Sequence, residues 1–300
     1  MTRKFRNLFS LKGRSFFRDS KCTDALTYHQ SVKDQQHIFL YCVLGRSSST
    51  ALQRILNSSN EICIWGEHHL TIDKLVDTIQ AAEALRDMPH VAECTRLLNQ
   101  CFKKNKHDLF YPNAIGNISG AIDMLKSSIS LLLKPTVAGL SRFGIKEINA
   151  SSLTTLNYLR SEYTKSQFAF CFRDPLVQWP SVHHVEHWGW EYSKTLDIFL
   201  QEYDRVSTIH LDFASEHKLN SFIENTDLNN EANVLQIISH FHISSVDTAL
   251  IGLTVFSVGP QRLTESDRLT IVQSKAYRNY KAMKLLSQEF YKAKLSNSNT

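Results

Sequence analysis

The fold of this chain is decided by residues His37–Glu67, which read HIFLYCVLGRSSSTALQRILNSSNEICIWGE. His37–Leu44 is rich in β-branched and aromatic residues, which is typical of a strand covered on both faces. The polar residues Gly45–Thr50 end this strand, and Ala51–Leu56 then carries apolar residues at helical spacing. A strand that leads into a helix in this way aims several backbone N–H groups and the positive end of the helix dipole at one point. The stretch therefore predicts an anion-binding cradle, most often one for phosphate.

Two common nucleotide-binding loops do not fit these residues. The Walker A loop needs a Gly-Lys pair, and the dinucleotide fingerprint needs three closely spaced glycines, whereas no glycine lies between Gly45 and Gly66. Gly45–Leu56 instead resembles the loop with which sulfotransferases bind the 5′-phosphosulfate of 3′-phosphoadenosine 5′-phosphosulfate (PAPS). Ser48 stands where that family usually has glycine, so its backbone angle decides how closely the loop approaches a ligand.

A second segment, Gln167–Ser181, also reads as a buried strand, an arginine and a helix start. In sulfotransferases, the 3′-phosphate of the nucleotide is bound by an arginine at a strand end and by a serine eight residues later. Arg173 and Ser181 are similar to that pair in type and spacing. Pro180 predicts that the helix kinks or ends near Trp179.

Three weaker matches follow the same family. Phe143–Ile148 resembles the strand that bears a Lys-Glu or Lys-Asp pair in bacterial and tyrosylprotein sulfotransferases. Ser207–Phe213 resembles the family's x-Y-E-D-L strand, with Asp212 in the acidic place. Gly259–Glu265 resembles the loop that closes over the nucleotide's 3′-phosphate.

The resemblance implies the cofactor and a set of binding residues. PAPS would donate a sulfuryl group to an acceptor hydroxyl on a sugar, a lipid or a small metabolite. The cofactor-binding residues implied by the family are those of the two motifs: Arg46, Ser47, Ser48, Ser49, Thr50, Arg173 and Ser181.

The resemblance also implies three catalytic residues. Arg46 would neutralise the departing phosphate, and Lys146 would reach the sulfonate oxygens, with a strand-end ion pair as the alternative interpretation of Lys146. Glu67, which follows Trp65-Gly66, matches the glutamate that acts as the base in tyrosylprotein sulfotransferases. His68, His69 and Glu147 stay open as alternative bases.

Composition bounds the other classes. A net charge of +5 over 300 residues favours an anionic ligand without amounting to a nucleic-acid footprint. The six cysteines show no C-x-x-C spacing, so we expect no disulfide framework, no metal site and a cytoplasmic location. His183 and His187 are one helical turn apart, but the pattern is not H-E-x-x-H, and a helix surface or pocket wall is the favoured interpretation.

The pattern along the chain predicts an α/β fold of the P-loop-like type, with three layers (α/β/α) around a central parallel sheet. We expect strands near residues 37–44, 62–65, 143–147, 167–172 and 206–211, and a single basic helix from about Glu265 to Lys292. Residues 1–36 form a basic tail, residues 37–300 form one domain, and residues 71–132 form a helical insert within it.

The ends of the chain and the function class remain expectations. No apolar run approaches the roughly 20 residues that span a bilayer, although contact of the basic tail with a membrane surface stays open. PAPS-dependent sulfuryl transfer is the favoured function. The alternatives are a P-loop-like nucleotide-dependent kinase and a non-catalytic nucleotide-binding relative.

Overall fold

The structure, a computed structural model, describes Thr27 and residues 29–103, 116–134, 140, 142–148, 152–185, 189–253 and 263–297. Five strands form one sheet in the order β2-β3-β1-β4-β5, and every neighbouring pair is parallel. The strands are β1 (Gln36–Cys42), β2 (Ile62–Trp65), β3 (Arg142–Ile148), β4 (Ser166–Phe172) and β5 (Phe222–Glu224). The predicted parallel α/β fold is therefore confirmed.

Ten α-helices of the described residues surround this sheet. They are α1 (Ser49–Asn57), α2 (Thr71–Asp87), α3 (Pro89–Lys103), α4 (Ile118–Leu133), α5 (Leu153–Glu162), α6 (Pro175–His183), α7 (Leu196–His217), α8 (Glu231–His240), α9 (Glu265–Gln273) and α10 (Lys275–Asn297). Between β2 and β3, the described residues hold the helices α2, α3 and α4 and no strand.

Strand β1 lies at the centre and separates two hydrophobic cores. Phe39 and Tyr41 face a core shared with α2, α4, α5 and α7, whereas Ile38 and Leu40 face a core shared with α1 and α8. Side chains alternate between the faces of a strand, so a strand covered by helices on both sides is apolar at every position. The middle layer of the three-layer fold is thus encoded in the apolar run His37–Leu44.

The prediction of a strand at residues 206–211 is wrong, because these residues lie in the middle of α7. The run Val206-Ser207-Thr208-Ile209 is β-branched and polar in a way that suggests a strand. Over the whole helix, however, the buried residues follow helical spacing: Phe199, Leu200, Tyr203, Val206, Ser207, His210, Phe213 and Ala214. The fifth strand is instead β5, inside the polar stretch that follows.

Two helix boundaries also differ from the prediction. Helix α6 continues beyond Trp179 to His183, because Pro180 removes a single N–H from a short helix that is otherwise intact. The C-terminal helix is divided at Ser274, where a bend separates α9 from α10. The Ser274 hydroxyl donates to the Ile271 carbonyl and accepts from the Tyr277 N–H, so one side chain serves both helix ends.

The N-terminal region is described only in part. Residues 29–33 form a helical turn, and Val32 in this turn is buried in the core. His29 contacts Ser130 of α4 and Glu162 of α5, which fastens the turn to the helices behind the sheet. No helix among the described residues is long and apolar enough to cross a membrane.

Because His210 of α7 is buried, we expect the protein to lose stability in mild acid. Neither ring nitrogen has a hydrogen-bond partner among the described residues, and burial lowers the pKa of His210 from 6.5 to about 3. The unfolded chain binds a proton below its ordinary pKa while the native ring stays neutral, so stability falls as the pH drops from 6.5 towards 3. We expect a loss of about 2 kcal/mol by about pH 5 from this residue alone.

The variant His210→Phe tests this expectation, because a phenyl ring can keep the packing against Phe170 and Tyr41 without titrating. Urea unfolding at about pH 8 and about pH 5 should show an acid loss smaller by about 2 kcal/mol than in the wild type. An unchanged acid loss in this variant would show that His210 is not the responsible group.

Candidate functional site

A cavity of about 480 Å³ opens at the carboxyl edge of the sheet, where β1, β3 and β4 end. This edge is where parallel α/β sheets bind their ligands. Its cationic wall is formed by Arg46, Lys146 and Arg173, and its opposite wall by Asn225, Leu228, Asn229 and Leu250. Among the described residues that line it, Glu67 is the only acidic one.

The loop between β1 and α1 forms the floor of the anion cradle. Leu44, Arg46 and Ser48 have φ angles of 62°, 67° and 65°, so left-handed residues alternate with Gly45 and Ser47, whose φ angles are not positive. Alternation of this kind turns successive backbone N–H groups towards one point and makes an anion-binding nest. Ser48 takes a left-handed conformation, which glycine adopts more readily than serine does.

The start of α1 adds to the positive character of this loop. Ser48 is the N-cap residue but makes no side-chain capping hydrogen bond, and the first turn of α1 contains no acidic residue. The first amides of a helix have no partner within the helix, and they carry the positive end of its dipole. The loop and the start of α1 therefore have the backbone features on which the predicted cradle depends.

Neighbouring elements hold the loop in this strained shape. The side-chain amide of Gln178 in α6 donates to the carbonyls of Val43 (2.8 Å) and Gly45 (2.6 Å). The Gly45 N–H donates to the hydroxyl of Tyr192 at 3.2 Å. Trp190 covers the glycine so closely that a Cβ atom there would lie 2.4 Å from the indole. Left-handed non-glycine residues cost about 1–3 kcal/mol each, and these contacts offset that cost.

Arg46 and Ser181 are in direct contact. The Arg46 Nε donates to the Ser181 hydroxyl at 2.9 Å, and Ser181 is itself buried. Ser181 is absent from the residues that line the cavity. The sequence pairs Ser181 with Arg173, whereas the structure places its hydroxyl behind Arg46, where it orients that guanidinium.

Arg173 follows β4 and reaches the same cavity. One of its terminal nitrogens donates to the Arg46 carbonyl at 3.2 Å, and its Nε is buried without a hydrogen-bond partner among the described residues. Burial lowers the pKa of Arg173, and the nearby positive charge of Arg46 lowers it further. Two guanidiniums held this close together favour an anion between them.

Lys146 and Glu67 form an ion pair at the same edge. The Lys146 Nζ lies 2.5 Å from Glu67 Oε1, and the side chains are 6% and 26% exposed. The parallel pairing of β2 with β3 brings them together, because Trp65 pairs with Ile145 and each charged residue follows shortly after. The carboxylate and the ammonium therefore face the cavity as one unit.

The alternative bases lie in different surroundings. Glu147 is buried, does not line the cavity and accepts a hydrogen bond from the His68 N–H at 2.9 Å. Burial lowers the pKa of His68, and the charge of His69 lowers it further. Of the four candidates, Glu67 alone lines the cavity among the described residues.

Some expected residues lie elsewhere, and others were missed. Asp212 is exposed on α7. Its assignment to the acidic position of a strand is wrong, because Asp212 lies within a helix. The acidic residues after the fifth strand are Glu224 at its end and Asp227 beyond it. The signal was present as the apolar pair Phe222-Ile223 before Glu224. Residues 259–262 of the proposed closing loop lie outside the described residues.

His183, the last residue of α6, makes structural contacts. His183 Nδ1 lies 2.8 Å from the Ser193 carbonyl, and its ring stacks on Trp179. His187 lies outside the described residues. Across the described part of the chain, no three His, Cys, Asp or Glu side chains are grouped as metal ligands.

Comparison with protein-family models and with curated proteins found no match for this chain. The class of the protein is therefore defined by its own geometry. It is a parallel three-layer α/β/α protein whose carboxyl edge carries a loop with alternating left-handed residues, three cationic side chains and one paired carboxylate.

Proposed function

We propose that this protein is a PAPS-dependent sulfotransferase that transfers a sulfuryl group to an acceptor hydroxyl. The observation that carries the proposal is the meeting of Arg46, Arg173 and Lys146 around one cavity with the amide-rich loop. Cationic groups of this number at a nest suit a ligand with more than one anionic group.

The described residues fit such a donor. PAPS carries a 5′-phosphosulfate and a separate 3′-phosphate, so it needs two anion-binding places within one cavity. The loop amides, with Ser49 and Thr50 on the cavity wall, suit the phosphosulfate, and the guanidinium of Arg173 suits the 3′-phosphate. A volume of about 480 Å³ lies in the range of small-molecule sites.

The residues can supply what sulfuryl transfer requires. In this reaction the bond from sulfur to the phosphate oxygen breaks, a bond from sulfur to the acceptor oxygen forms, and the acceptor loses a proton. Arg46 and Lys146 would stabilise the negative charge on the phosphate and sulfonate oxygens. Glu67 would take the acceptor's proton, since it is the acidic group that lines the cavity.

We also propose a cytoplasmic location for the protein. Cys42, Cys63, Cys94 and Cys171 are free thiols. Cys42 and Cys171 are register partners in adjacent strands and nevertheless unlinked. Free, buried cysteines are typical of a reducing compartment.

The nucleotide preference tests the assignment. We expect adenosine 3′,5′-bisphosphate to bind about 10-fold to 100-fold more tightly than AMP, because a charge-assisted contact to the 3′-phosphate contributes about 1.5–3 kcal/mol. Arg173→Ala should remove most of this difference in titration calorimetry. Arg205→Ala, which removes an exposed arginine paired with Glu202, is the matched control and should preserve it.

Equal affinity of the wild type for the two nucleotides would contradict the proposal. Turnover is measured separately with radiolabelled PAPS and a panel of sugar, lipid, phenol and peptide hydroxyls. Nucleotide binding without label transfer to any acceptor would favour the non-catalytic alternative. Phosphate transfer from ATP would favour the kinase.

A further inference from the structure

Glu147 is a buried carboxylate, and its environment differs from that of its neighbour Lys146. The two residues are adjacent in β3, so their side chains lie on opposite faces of the sheet. Lys146 faces the cavity, whereas Glu147 pairs in register with Tyr41 on the other face and is 3% exposed. Glu147 is therefore not placed to contact a ligand in the cavity.

The contacts of Glu147 are with the loop that carries Glu67. The His68 N–H donates to Glu147 Oε2 at 2.9 Å. The nearby backbone N–H of Leu70 also favours the charged form of this carboxylate and so lowers its pKa. Leu70 is the N-cap residue of α2 and provides no side-chain acceptor of its own. Glu147 thus serves as the acceptor that this helix start lacks.

The loop needs such an anchor because its backbone is unusual. His69 and Leu70 have φ angles of 50° and 60°, which are left-handed values at two consecutive non-glycine residues. This conformation is unfavourable for side chains with a Cβ atom, and it persists only where surrounding contacts hold it. Glu67 lies two residues before His69 in the same loop, so its direction depends on the loop.

The charge of Glu147 is costly to the fold. No cation pairs with Glu147 among the described residues. Glu67 in the loop and Asp73 in α2 place negative charges near it. His68 is titratable and donates its backbone N–H to the carboxylate. Burial, together with the negative charges of Glu67 and Asp73, raises the pKa of Glu147 to about 7 against the opposing effect of the backbone amides. The proton that stabilises the native carboxyl is therefore fully held below about pH 4.5 and lost as the pH rises through about 7.

We propose that Glu147 is a positioning residue for Glu67. Its carboxylate holds the His68 and Leu70 amides and thereby fixes the loop from which Glu67 reaches Lys146. The catalytic consequence rests on the proposed function, whereas the contact between Glu147 and the loop does not depend on it.

The test compares Glu147→Gln with Asp73→Asn. Both variants remove one negative charge from the same neighbourhood, but Asp73 is half-buried and accepts from the Ser152 N–H, not from the loop. Amide hydrogen exchange of residues 67–71 is measured in both variants from about pH 6 to about pH 8, and urea unfolding is measured beside it.

At about pH 8 we expect Glu147→Gln to reduce the protection of the His68 and Leu70 amides by about 10-fold or more, because a charged acceptor is lost. Its global stability should be equal to or greater than that of the wild type, since a costly buried charge is removed. In the wild type, protection should increase as the pH rises through about 7, and this increase should vanish in Glu147→Gln. Asp73→Asn should keep the protection and shift the increase to lower pH.

Unchanged loop protection in Glu147→Gln would overturn the proposal. So would a loss of protection that matches a loss of global stability, since Glu147 would then be a structural residue. With radiolabelled PAPS and an acceptor from the panel, Glu147→Gln should lower kcat by about 10-fold and leave the KM for PAPS unchanged. A raised KM with an unchanged kcat would contradict positioning of Glu67. If the wild type turns over no acceptor, the proposed function fails, and the exchange experiment still decides whether Glu147 holds the loop.

Discussion

The variant Glu67→Gln should reduce sulfuryl transfer by about 10²–10⁴-fold while the protein still folds and binds adenosine 3′,5′-bisphosphate. Glutamine keeps the shape of the side chain, and its carbonyl oxygen can still accept from Lys146 Nζ, which now lies 2.5 Å from the carboxylate. It cannot take a proton from an acceptor hydroxyl. Turnover with radiolabelled PAPS measures the loss, and calorimetry with the bisphosphate measures binding.

A matched control for this substitution is Glu216→Gln. Glu216 is exposed on α7, accepts from Asn157 and does not line the cavity, so the same chemical change should leave turnover unaffected. Near-normal turnover in Glu67→Gln would transfer the role of base to His68 or His69. Loss of nucleotide binding or of folding in Glu67→Gln would instead make the pair with Lys146 a structural ion pair.

The second large effect concerns Gly144 in the middle of β3. A Cβ atom at this position would lie 1.9 Å from the backbone carbonyl oxygen of Ile38, its register partner in β1. Because the obstacle is backbone in the central strand, no side-chain rotation can relieve it. We expect Gly144→Ala to lower the free energy of unfolding by at least about 4 kcal/mol, or to prevent folding.

Gly66→Ala is the control for Gly144→Ala. No atom lies within 4 Å of a Cβ added at Gly66, so the substitution should change stability by no more than about 0.5 kcal/mol. Urea unfolding of the two variants provides the comparison. A Gly144→Ala protein as stable as the control would show that β1 and β3 can separate enough to accept a methyl group.

These two predictions differ in how far the sequence anticipates them. Glu67 was predicted from its resemblance to the glutamate of tyrosylprotein sulfotransferases and from its place after an apolar strand. Gly144 carries no such signal, because a glycine between Phe143 and Ile145 reads only as a weak strand position. The reason for that glycine exists only when β1 lies beside β3.

The sequence alone determined the segments in which local order is sufficient. An apolar strand, a polar turn and a helix start define the loop between β1 and α1. The same order places Arg173 between β4 and α6. The sequence failed at α7, where a β-branched run within a long amphipathic helix resembles a strand. A short window cannot distinguish the spacing of buried residues in a strand from that in a helix, whereas the spacing over the full helix can.

The tertiary structure decided which side chains meet. Lys146 and Glu67 are 79 residues apart in the chain, and they form an ion pair because parallel strands end at one edge of the sheet. Ser181 lies behind Arg46, since the direction of its side chain depends on how α6 packs against the loop. Sequence order places residues along strands and helices, but only the packing of those elements determines distances, burial and therefore charge interactions.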